Sequence, residues 1–475
     1  MQGDVRERLA EIPEKSVQTC ITSPPYWGLR DYGLPPSVWG GDKDCAHEWV
    51  IERTARPNSS GGKASENNPY AKKLAIKGTE NYSEYADYHD RATYSQFCQK
   101  CGAWLGCLGL EPTPEMFVQN MVEVFRGVWR VLRDDGTVWL NLGDSYAGGG
   151  RMSGVNIDSE VFKNSKQNTN RGVFGTTKFP IPEGVKPKDL VGIPWFVAFA
   201  LRADGWYLRS DIIWHKPNPM PESVRDRPTK SHEYIFLLTK NKQYYYDAEA
   251  IREPNSENSG KWGKMVPTKT AKAQGKHGAT SALTNTMSKD ECIEKYYTHG
   301  RNKRSVWKVA TQPYREAHFA VFPEKLIEPC ILAGSSPKAC EVCGSPWERV
   351  VERGEALDEW RKSCGADSDG GYQGRAQKDY VNAKAQDASA TKARILAGMV
   401  EKKTTGWQPT CPCPNEGKGK SIVLDPFAGS GTTLWVAEQH GRDGIGIELS
   451  PEYCDLIFKR MDKMQGTIFG LGVSE

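Results

Sequence analysis

Apolar and polar positions along the chain fall into short, well-punctuated runs. Ser16-Val17-Gln18-Thr19-Cys20-Ile21 alternates and is rich in β-branched residues, which predicts a strand. Pro24 and Pro25 follow, and neither can donate to a sheet ladder, so the strand stops there and the chain turns outward. A second apolar run, Ile422-Val423-Leu424, enters the turn Asp425-Pro426-Phe427-Ala428-Gly429-Ser430-Gly431-Thr432-Thr433. A helical pattern comes next (Leu434, Val436, Ala437), then a strand, Gly444-Ile445-Gly446-Ile447, with Glu448 at its tip. Between these ends, Thr113-Pro114 opens a strong amphipathic helix, with Thr as N-cap and Pro in the first turn. Its apolar face carries Phe117, Met121, Phe125, Val128 and Leu132. Arg133-Asp134-Asp135-Gly136 is predicted to end that helix, and Thr137 to Leu142 to form a buried strand that finishes at Gly143-Asp144-Ser145-Tyr146. Further helices are predicted behind Gly3-Asp4 (Val5, Leu9, Ile12), over 189–203, and from Leu326 to Gly334; strands are predicted over 207–214 and 233–239.

Two of these strand ends carry chemistry. Thr22-Ser23-Pro24-Pro25-Tyr26-Trp27 presents a hydroxyl, carbonyls free of competing N–H groups and two aromatic rings at a strand's C-terminal end, the edge where α/β sheets bind ligands. At Asp425 to Glu448 the order is strand, glycine turn, helix, strand, carboxylate. Glycines let backbone approach a cofactor closely, and a carboxylate can accept from two ribose hydroxyls. No third glycine stands at the dinucleotide spacing and no Lys follows the glycines, which argues against a nicotinamide site and a nucleotide-phosphate loop.

Taken together, the two motifs resemble those of DNA amino-methyltransferases that use S-adenosylmethionine, in the order that places the catalytic motif before the cofactor motif. The resemblance covers about four fifths of the chain. It implies an α/β, Rossmann-like methyltransferase sheet, circularly permuted, with zinc-ribbon-like and target-recognition insertions. It also implies catalytic roles for Ser23, Pro24, Pro25 and Tyr26. Cofactor contacts are implied for Asp425, Pro426, Phe427, Gly429, Gly431, Thr432 and Glu448, for Asp4 at the adenine, and for Phe319 and Pro323 along the methionine part. Trp214-His215-Lys216-Pro217-Asn218 and Arg227-Pro228 match further family segments. The Ser form of the catalytic motif is most similar to enzymes that methylate the N4 amine of cytosine; Asp in its place is commoner among adenine-N6 enzymes. Double-stranded DNA is the implied partner, and a cognate restriction endonuclease and a homodimer are compatible with it. Adenine-N6 methylation by the same fold is the nearest alternative, and a non-catalytic, zinc-containing DNA-binding protein is an alternative from another class. Intact Asp425, Gly429, Gly431 and Glu448 argue against the latter.

Composition adjusts this picture in three places. With 475 residues of which 38% are hydrophobic, one large domain must carry sizeable polar insertions. Residues 53–91 and 148–183 are Gly-, Asn- and Ser-rich and read as such; the second is a functional loop or a disordered insertion. The net charge of +4 is too small to argue for nucleic acid by itself. Its distribution says more, because residues 252–308 hold twelve Lys/Arg against five acidic residues, interleaved with Trp262, Tyr296, Tyr297 and Trp307. That is a solvated basic insertion or, where the family order puts target recognition, a phosphate-contacting one, with Arg301, Lys303 and Arg304 as its densest cluster.

The chain has no apolar signal region and no run of eighteen apolar residues, so it is expected in the cytoplasm of a bacterium, an archaeon or a phage-infected cell. Thirteen cysteines there suggest metal rather than disulfides. Cys45-x-His47 can pair with Cys98-x2-Cys101, and Cys340-x2-Cys343 with Cys411-x-Cys413; each set is a structural zinc site or a group of reduced surface cysteines, with Cys107 a substitute ligand in the first. Cys330, inside a helical pattern, reads as a buried thiol. The expected organisation is a catalytic half over 1–44 and 108–250, interrupted by a zinc insertion at 45–107. Target recognition follows at 251–308, a cofactor-binding segment at 309–339, a second zinc insertion at 340–415 and the cofactor half at 416–475.

Overall fold

A computed structural model describes residues 1–29, 32–53, 94–147, 185–254, 300–312, 321–353, 402–414 and 416–470. Phe319, Trp262, Tyr296, Tyr297, Cys292, Cys364 and the polar stretches within 54–93 and 148–184 lie outside the described residues. The chain divides into two compact units, one of residues 1–245, 305–335 and 421–475, the other of residues 246–304 and 336–420. Among the described residues no helix is long and apolar enough to cross a membrane.

The first unit is built on a mixed, mostly parallel sheet. Its strands are β1 (Val17–Thr22), β6 (Leu132–Leu142), β7 (Tyr207–His215), β8 (His232–Thr239), β9 (Val306–Lys308), β12 (Ile422–Asp425) and β13 (Asp443–Gly446), in the order β13-β12-β1-β6-β8-β7-β9. Strands β13, β12, β1 and β6 pair in parallel, as do β7 and β9, whereas β8 is antiparallel to both β6 and β7. All six residues of β1 are buried, as expected of a central strand covered on both faces. Thus the N-terminal strand stands directly between β12, from the far end of the chain, and β6.

Helices α1 (Val5–Glu11), α2 (Pro114–Val131), α3 (Ile193–Ala203), α4 (Glu324–Gly334), α5 (Thr432–Gln439) and α6 (Pro451–Gly470) accompany these strands. Thr113 caps α2 by accepting from the Met116 amide, and Phe117, Met121, Phe125 and Val128 are fully buried along one face. The core they enter includes Leu9, Val138, Leu140, Phe236 and Trp206.

Two sequence expectations shift. Helix α3 begins at Ile193 rather than Asp189, because Gly192 adopts a left-handed conformation and the Asp144 carboxylate accepts from the Gly192 and Ile193 amides at 2.9 and 3.1 Å. Strand β6 starts at Leu132, directly after α2, with no separate terminating turn. The pairing with β1 then jumps from Val17–Leu132 to Thr19–Thr137, so 133–136 bulge out of the ladder. Arg133 closes the bulge on Asp135 at 2.9 Å.

A four-stranded antiparallel sheet in the same unit, ordered β2-β5-β4-β3, is formed by β2 (Ser37–Trp39), β3 (Trp49–Arg53), β4 (Tyr94–Cys98) and β5 (Trp104–Gly106). The second unit contributes the antiparallel pair β10 (Glu348–Arg353) and β11 (Lys402–Gln408). There the Arg349 guanidinium grips Asp247 at 2.6 Å.

Helix α4 reaches the sheet through its last residue. A Cβ on Gly334 would stand 2.6 to 2.8 Å from Thr137 Oγ1, Thr19 Oγ1 and Trp139 Nε1, three buried polar atoms that hydrogen-bond among themselves. Gly334→Val is therefore expected to cost about 1–3 kcal/mol by overpacking, read as a lower midpoint in urea with an unchanged m-value. A midpoint equal to wild type would contradict this close approach.

Candidate active site

The ends of β1 and β12 meet through one carboxylate. Asp425, the last residue of β12, is 1% exposed and accepts from Thr22 Oγ1 at 2.6 Å, Thr433 Oγ1 at 2.6 Å and the Phe427 amide at 3.1 Å. Burial pushes its pKa up to about 6, against the opposing pull of the two hydroxyls and the amide. The glycine turn beyond is held by Glu448, whose carboxylate accepts from the Gly429 amide at 2.8 Å and the Ser450 amide at 2.9 Å. Burial raises the Glu448 pKa above its ordinary value, with those two backbone donors opposing.

The two glycines differ in purpose. Both have left-handed φ (52° and 74°), but a Cβ on Gly429 would meet nothing within 4 Å, whereas one on Gly431 would press on Ile457 of α6 at 2.9 Å. Gly429 thus borders open space, whereas Gly431 lies against α6. Asp425, Pro426, Phe427, Gly429, Gly431, Thr432 and Glu448 form one connected turn.

Asp4 joins this turn through its neighbours, since Gln2 bridges to Glu448 and the Gly3 amide donates to the Glu448 carbonyl at 3.0 Å. Its own carboxylate caps α1 and pairs with Arg6 at 2.9 Å. Pro323 is the N-cap of α4. The next residue, Glu324, pairs at 2.7 Å with Arg460, which also reaches the Ser430 carbonyl and Thr432 Oγ1 at 3.3 and 3.1 Å. Buried Arg460 was not singled out by the sequence; an arginine on an amphipathic helical pattern gives no signal of its own.

At the tip of β1, Ser23 Oγ donates to Tyr26 Oη at 3.2 Å or to Asn141 Oδ1 at 3.3 Å. Tyr26 Oη donates to Glu233 Oε2 at 2.9 Å, with Asn141 Oδ1 a second acceptor at 3.0 Å. Asn141 Nδ2 donates to the Tyr234 carbonyl at 3.0 Å. Lys216 Nζ donates to Glu233 Oε1 and lies 4.3 Å from the centre of the Trp214 ring. Burial, with Glu233 beside it, raises the Tyr26 pKa well above the ordinary tyrosine value. Pro24 is buried and Pro25 partly so.

Support comes from behind. Gly109 approaches Pro25 and Tyr26 so closely that a Cβ would stand 3.1 and 3.2 Å from them, and its carbonyl accepts from the Gly28 amide at 2.8 Å. Fully buried Glu111 holds that turn by accepting from the Gly109 amide at 2.8 Å and Asn120 Nδ2 at 2.9 Å, while its carbonyl accepts from Trp27 Nε1 at 3.0 Å. Burial pushes Glu111 up to about 7 despite these donors. Of the residues the sequence did not assign to the site, Asn141 had a readable signal, being a polar residue inside the otherwise apolar strand 137–142.

Both cysteine sets are brought together. In Cys45, His47, Cys98 and Cys101 the ligand atoms all lie within 4.8 Å of one another, with 3.9 Å between the Cys45 and Cys98 sulfurs and 3.4 Å from Cys101 Sγ to His47 Nδ1. Cys340, Cys343, Cys411 and Cys413 also lie within 4.8 Å of one another. A tetrahedral ion with Zn–S bonds of about 2.3 Å would set its sulfurs about 3.8 Å apart, so the donors fit zinc in kind and spacing. Cys107 does not substitute in the first set; its thiol donates to the Leu34 carbonyl at 3.2 Å. In the second unit, Arg301 and Lys303 both face Glu253, at 3.4 and 3.8 Å, and the Arg304 amide donates to the same carboxylate at 3.4 Å.

Comparison with known proteins follows the same lines as the geometry. The N6/N4 methyltransferase family model, described as DNA methylase, matches residues 17–340 and 413–459. Type II methyltransferase M.SmaI of Serratia marcescens is 36% identical, covering 97% of this chain and 89% of its own length. Type II methyltransferase M.Cfr9I of Citrobacter freundii is 31% identical, covering 97% and 86%. The chain belongs to this family of DNA methyltransferases, whose methyl donor is S-adenosylmethionine. Among solved structures, PvuII DNA methyltransferase (cytosine-N4-specific) is similar over 97% of this chain and 84% of that one, at 12% identity and a TM-score of 0.41, a likeness too distant to argue from.

The raised pKa of Asp425 has a consequence for stability. Its folded value of about 6 stands above the ordinary 3.8, so its contribution is fully favourable below about pH 4 and is lost as pH rises to about 6. The loss is about 3 kcal/mol, from roughly two pKa units. Denaturant titrations of wild type and Asp425→Asn across that window should show the asparagine variant lacking this decline; parallel pH profiles would refute it.

Proposed function

We propose that this chain transfers a methyl group from S-adenosylmethionine to the exocyclic N4 amine of a flipped-out cytosine in double-stranded DNA, at one recognition sequence. The observation that carries this reading is the hydrogen bond from Thr22 to Asp425, which sets the Ser-Pro-Pro-Tyr motif and the glycine turn side by side at one sheet edge. Site-specific action is supported by the relatives, which are Type II methyltransferases. Such a partner also fits a restriction endonuclease of the same specificity. The chain order, with β12 and β13 taking places beside β1, is read as a circular permutation of the methyltransferase sheet.

The cofactor is assigned to Asp4, Phe319, Pro323, Asp425, Pro426, Phe427, Gly429, Gly431, Thr432 and Glu448. It supplies an activated methyl group. Cytosine's amine is a poor nucleophile because its lone pair is delocalised into the ring. The Ser23 hydroxyl and the Pro24 carbonyl accept its two N–H bonds and favour a pyramidal nitrogen; Pro25 fixes the loop and Tyr26 stacks on the base. A duplex base reaches such a pocket only by flipping out, and the rate comes from positioning and preorganised acceptors. Arg301, Lys303 and Arg304 are assigned to DNA phosphates; the first two pair with the Glu253 carboxylate, which also accepts from the Arg304 amide.

Digestion of methylated DNA to nucleosides, followed by mass spectrometry, tests the base. N4-methylcytosine is the expected product, and N6-methyladenine alone would overturn the cytosine assignment. Ser23→Ala is expected to lower kcat with little change in DNA affinity, because that acceptor matters most as the nitrogen pyramidalises. Equal losses in kcat and DNA affinity would contradict that role.

Each cysteine set is assigned one structural zinc ion; four protein ligands leave no open position for catalysis. Elemental analysis of purified protein is expected to find about two zinc ions per chain, and Cys340→Ser or Cys411→Ser to release one and lower Tm. Zinc-free wild-type protein would sink the assignment.

A further inference from the structure

We propose that Ser23, Tyr26 and Glu233 form a proton path that takes up the proton the substrate amine must lose and delivers it to Glu233, which Lys216 holds in place. This rests on the reading of the site as an amino-group methyltransferase centre. The Ser23 hydroxyl donates to Tyr26 Oη at 3.2 Å, and Tyr26 Oη donates to Glu233 Oε2 at 2.9 Å. Both hydroxyls can thus point their protons toward Glu233. Ser23 Oγ, first in the line, then keeps a lone pair for an incoming N–H.

The balance is simple. Transfer forms a nitrogen–carbon bond and breaks the carbon–sulfur bond of the sulfonium, whose electron pair stays on sulfur. The nitrogen loses one N–H proton to Ser23 Oγ as the serine proton moves to Tyr26 and the tyrosine proton to Glu233. One carboxylate becomes one carboxylic acid, and both hydroxyls end with the protons they began with in number.

Asn141 Oδ1 is an alternative acceptor for both hydroxyls, but an amide oxygen is too weak a base to keep a proton, so the path ends at Glu233. The proton stays on Tyr26 at rest, since burial and the neighbouring carboxylate hold it there, so the residue relays as a neutral phenol. Lys216 donates to Glu233 Oε1 and leaves Oε2 to accept from Tyr26. When Glu233 is neutralised, Lys216 retains the Trp214 ring as a partner. The Glu233 and Lys216 side chains are 15% and 20% exposed, enough to return the proton to water between turnovers. The charged or titratable groups around Glu233 are Tyr26, Lys216, Lys230 and His232, with His215, Asp144 and Glu222 next to these.

Single-turnover methylation of a duplex containing the recognition site, with Glu233→Gln, Glu233→Asp and Tyr26→Phe, tests the path. Glu233→Gln and Tyr26→Phe are expected to slow the chemical step about 10²-fold with cofactor and DNA affinities unchanged. Wild type should show an acid limb in its rate profile and a solvent deuterium isotope effect; both should vanish in Glu233→Gln and persist in Glu233→Asp. In the resting enzyme, the acid-minus-neutral infrared difference spectrum should contain a carboxylate-to-carboxyl band that Glu233→Gln lacks and Tyr26→Phe displaces.

A Glu233→Gln enzyme as fast as wild type, or slowed with the acid limb and isotope effect retained, would overturn the proposal. Should loss of the Lys216 partner unfold that variant, Tyr26→Phe breaks the path with the ion pair intact and gives the same decision. Recovery of N6-methyladenine from wild type would remove the cytosine reading and leave this test standing, because either amine loses one proton. Failure of wild type to bind S-adenosylmethionine in calorimetry would instead remove the reading beneath it.

Discussion

One buried carboxylate holds the site together. Asp425 joins Thr22 from β1 and Thr433 from the helix after the glycine turn, accepting from both hydroxyls and the Phe427 amide at once. An ionised acid kept from water is costly unless its acceptors are filled, and here three donors fill them. The arrangement trades stability at neutral pH for a fixed relation between two loops. A hydrophobic residue at 425 would fill the space but could not fix either hydroxyl.

The same economy recurs at the other strand ends. Asp144 supplies the first amides of α3, Glu448 those of the glycine turn and of Ser450, and Glu111 the turn behind Pro25. Acceptors placed where backbone N–H groups would otherwise be buried unpaired hold each loop to the strand or helix beside it. Loops fixed by such bonds suit a reaction whose rate depends on how accurately an amine faces a sulfonium.

Much of this was legible in the sequence wherever local chemistry decides the outcome. The Thr113-Pro114 start of α2, the proline stop of β1 and the glycine turn after β12 follow from backbone constraints that no distant contact overrides. The start of α3 was not legible, because it is set by Asp144, some fifty positions earlier in the chain. Nor was the looped start of β6, where pairing with β1 draws residues into the sheet directly from the helix. In the site, the cysteine sets and both motifs were readable from spacing. Glu233 and Arg460 were not, and Lys216 stood in a family-like segment without a role, since these contacts come from strands and helices that meet only after folding.

The position of β1 also sets the order of events when the chain is made. Its partner β12 lies about 400 residues later, as the separation of 403 between Thr22 and Asp425 records. At synthesis rates of about 5–20 residues per second, roughly 20–80 s pass before the central strand can be flanked on both sides. During that time a six-residue strand with every side chain destined for burial has an open edge. Closing so long a loop makes folding slow as well as late. Yield from a cell should therefore depend on growth temperature and on chaperone supply more than the stability of the finished enzyme would suggest, and a nascent chain arrested before residue 421 should be a chaperone client rather than a smaller folded protein.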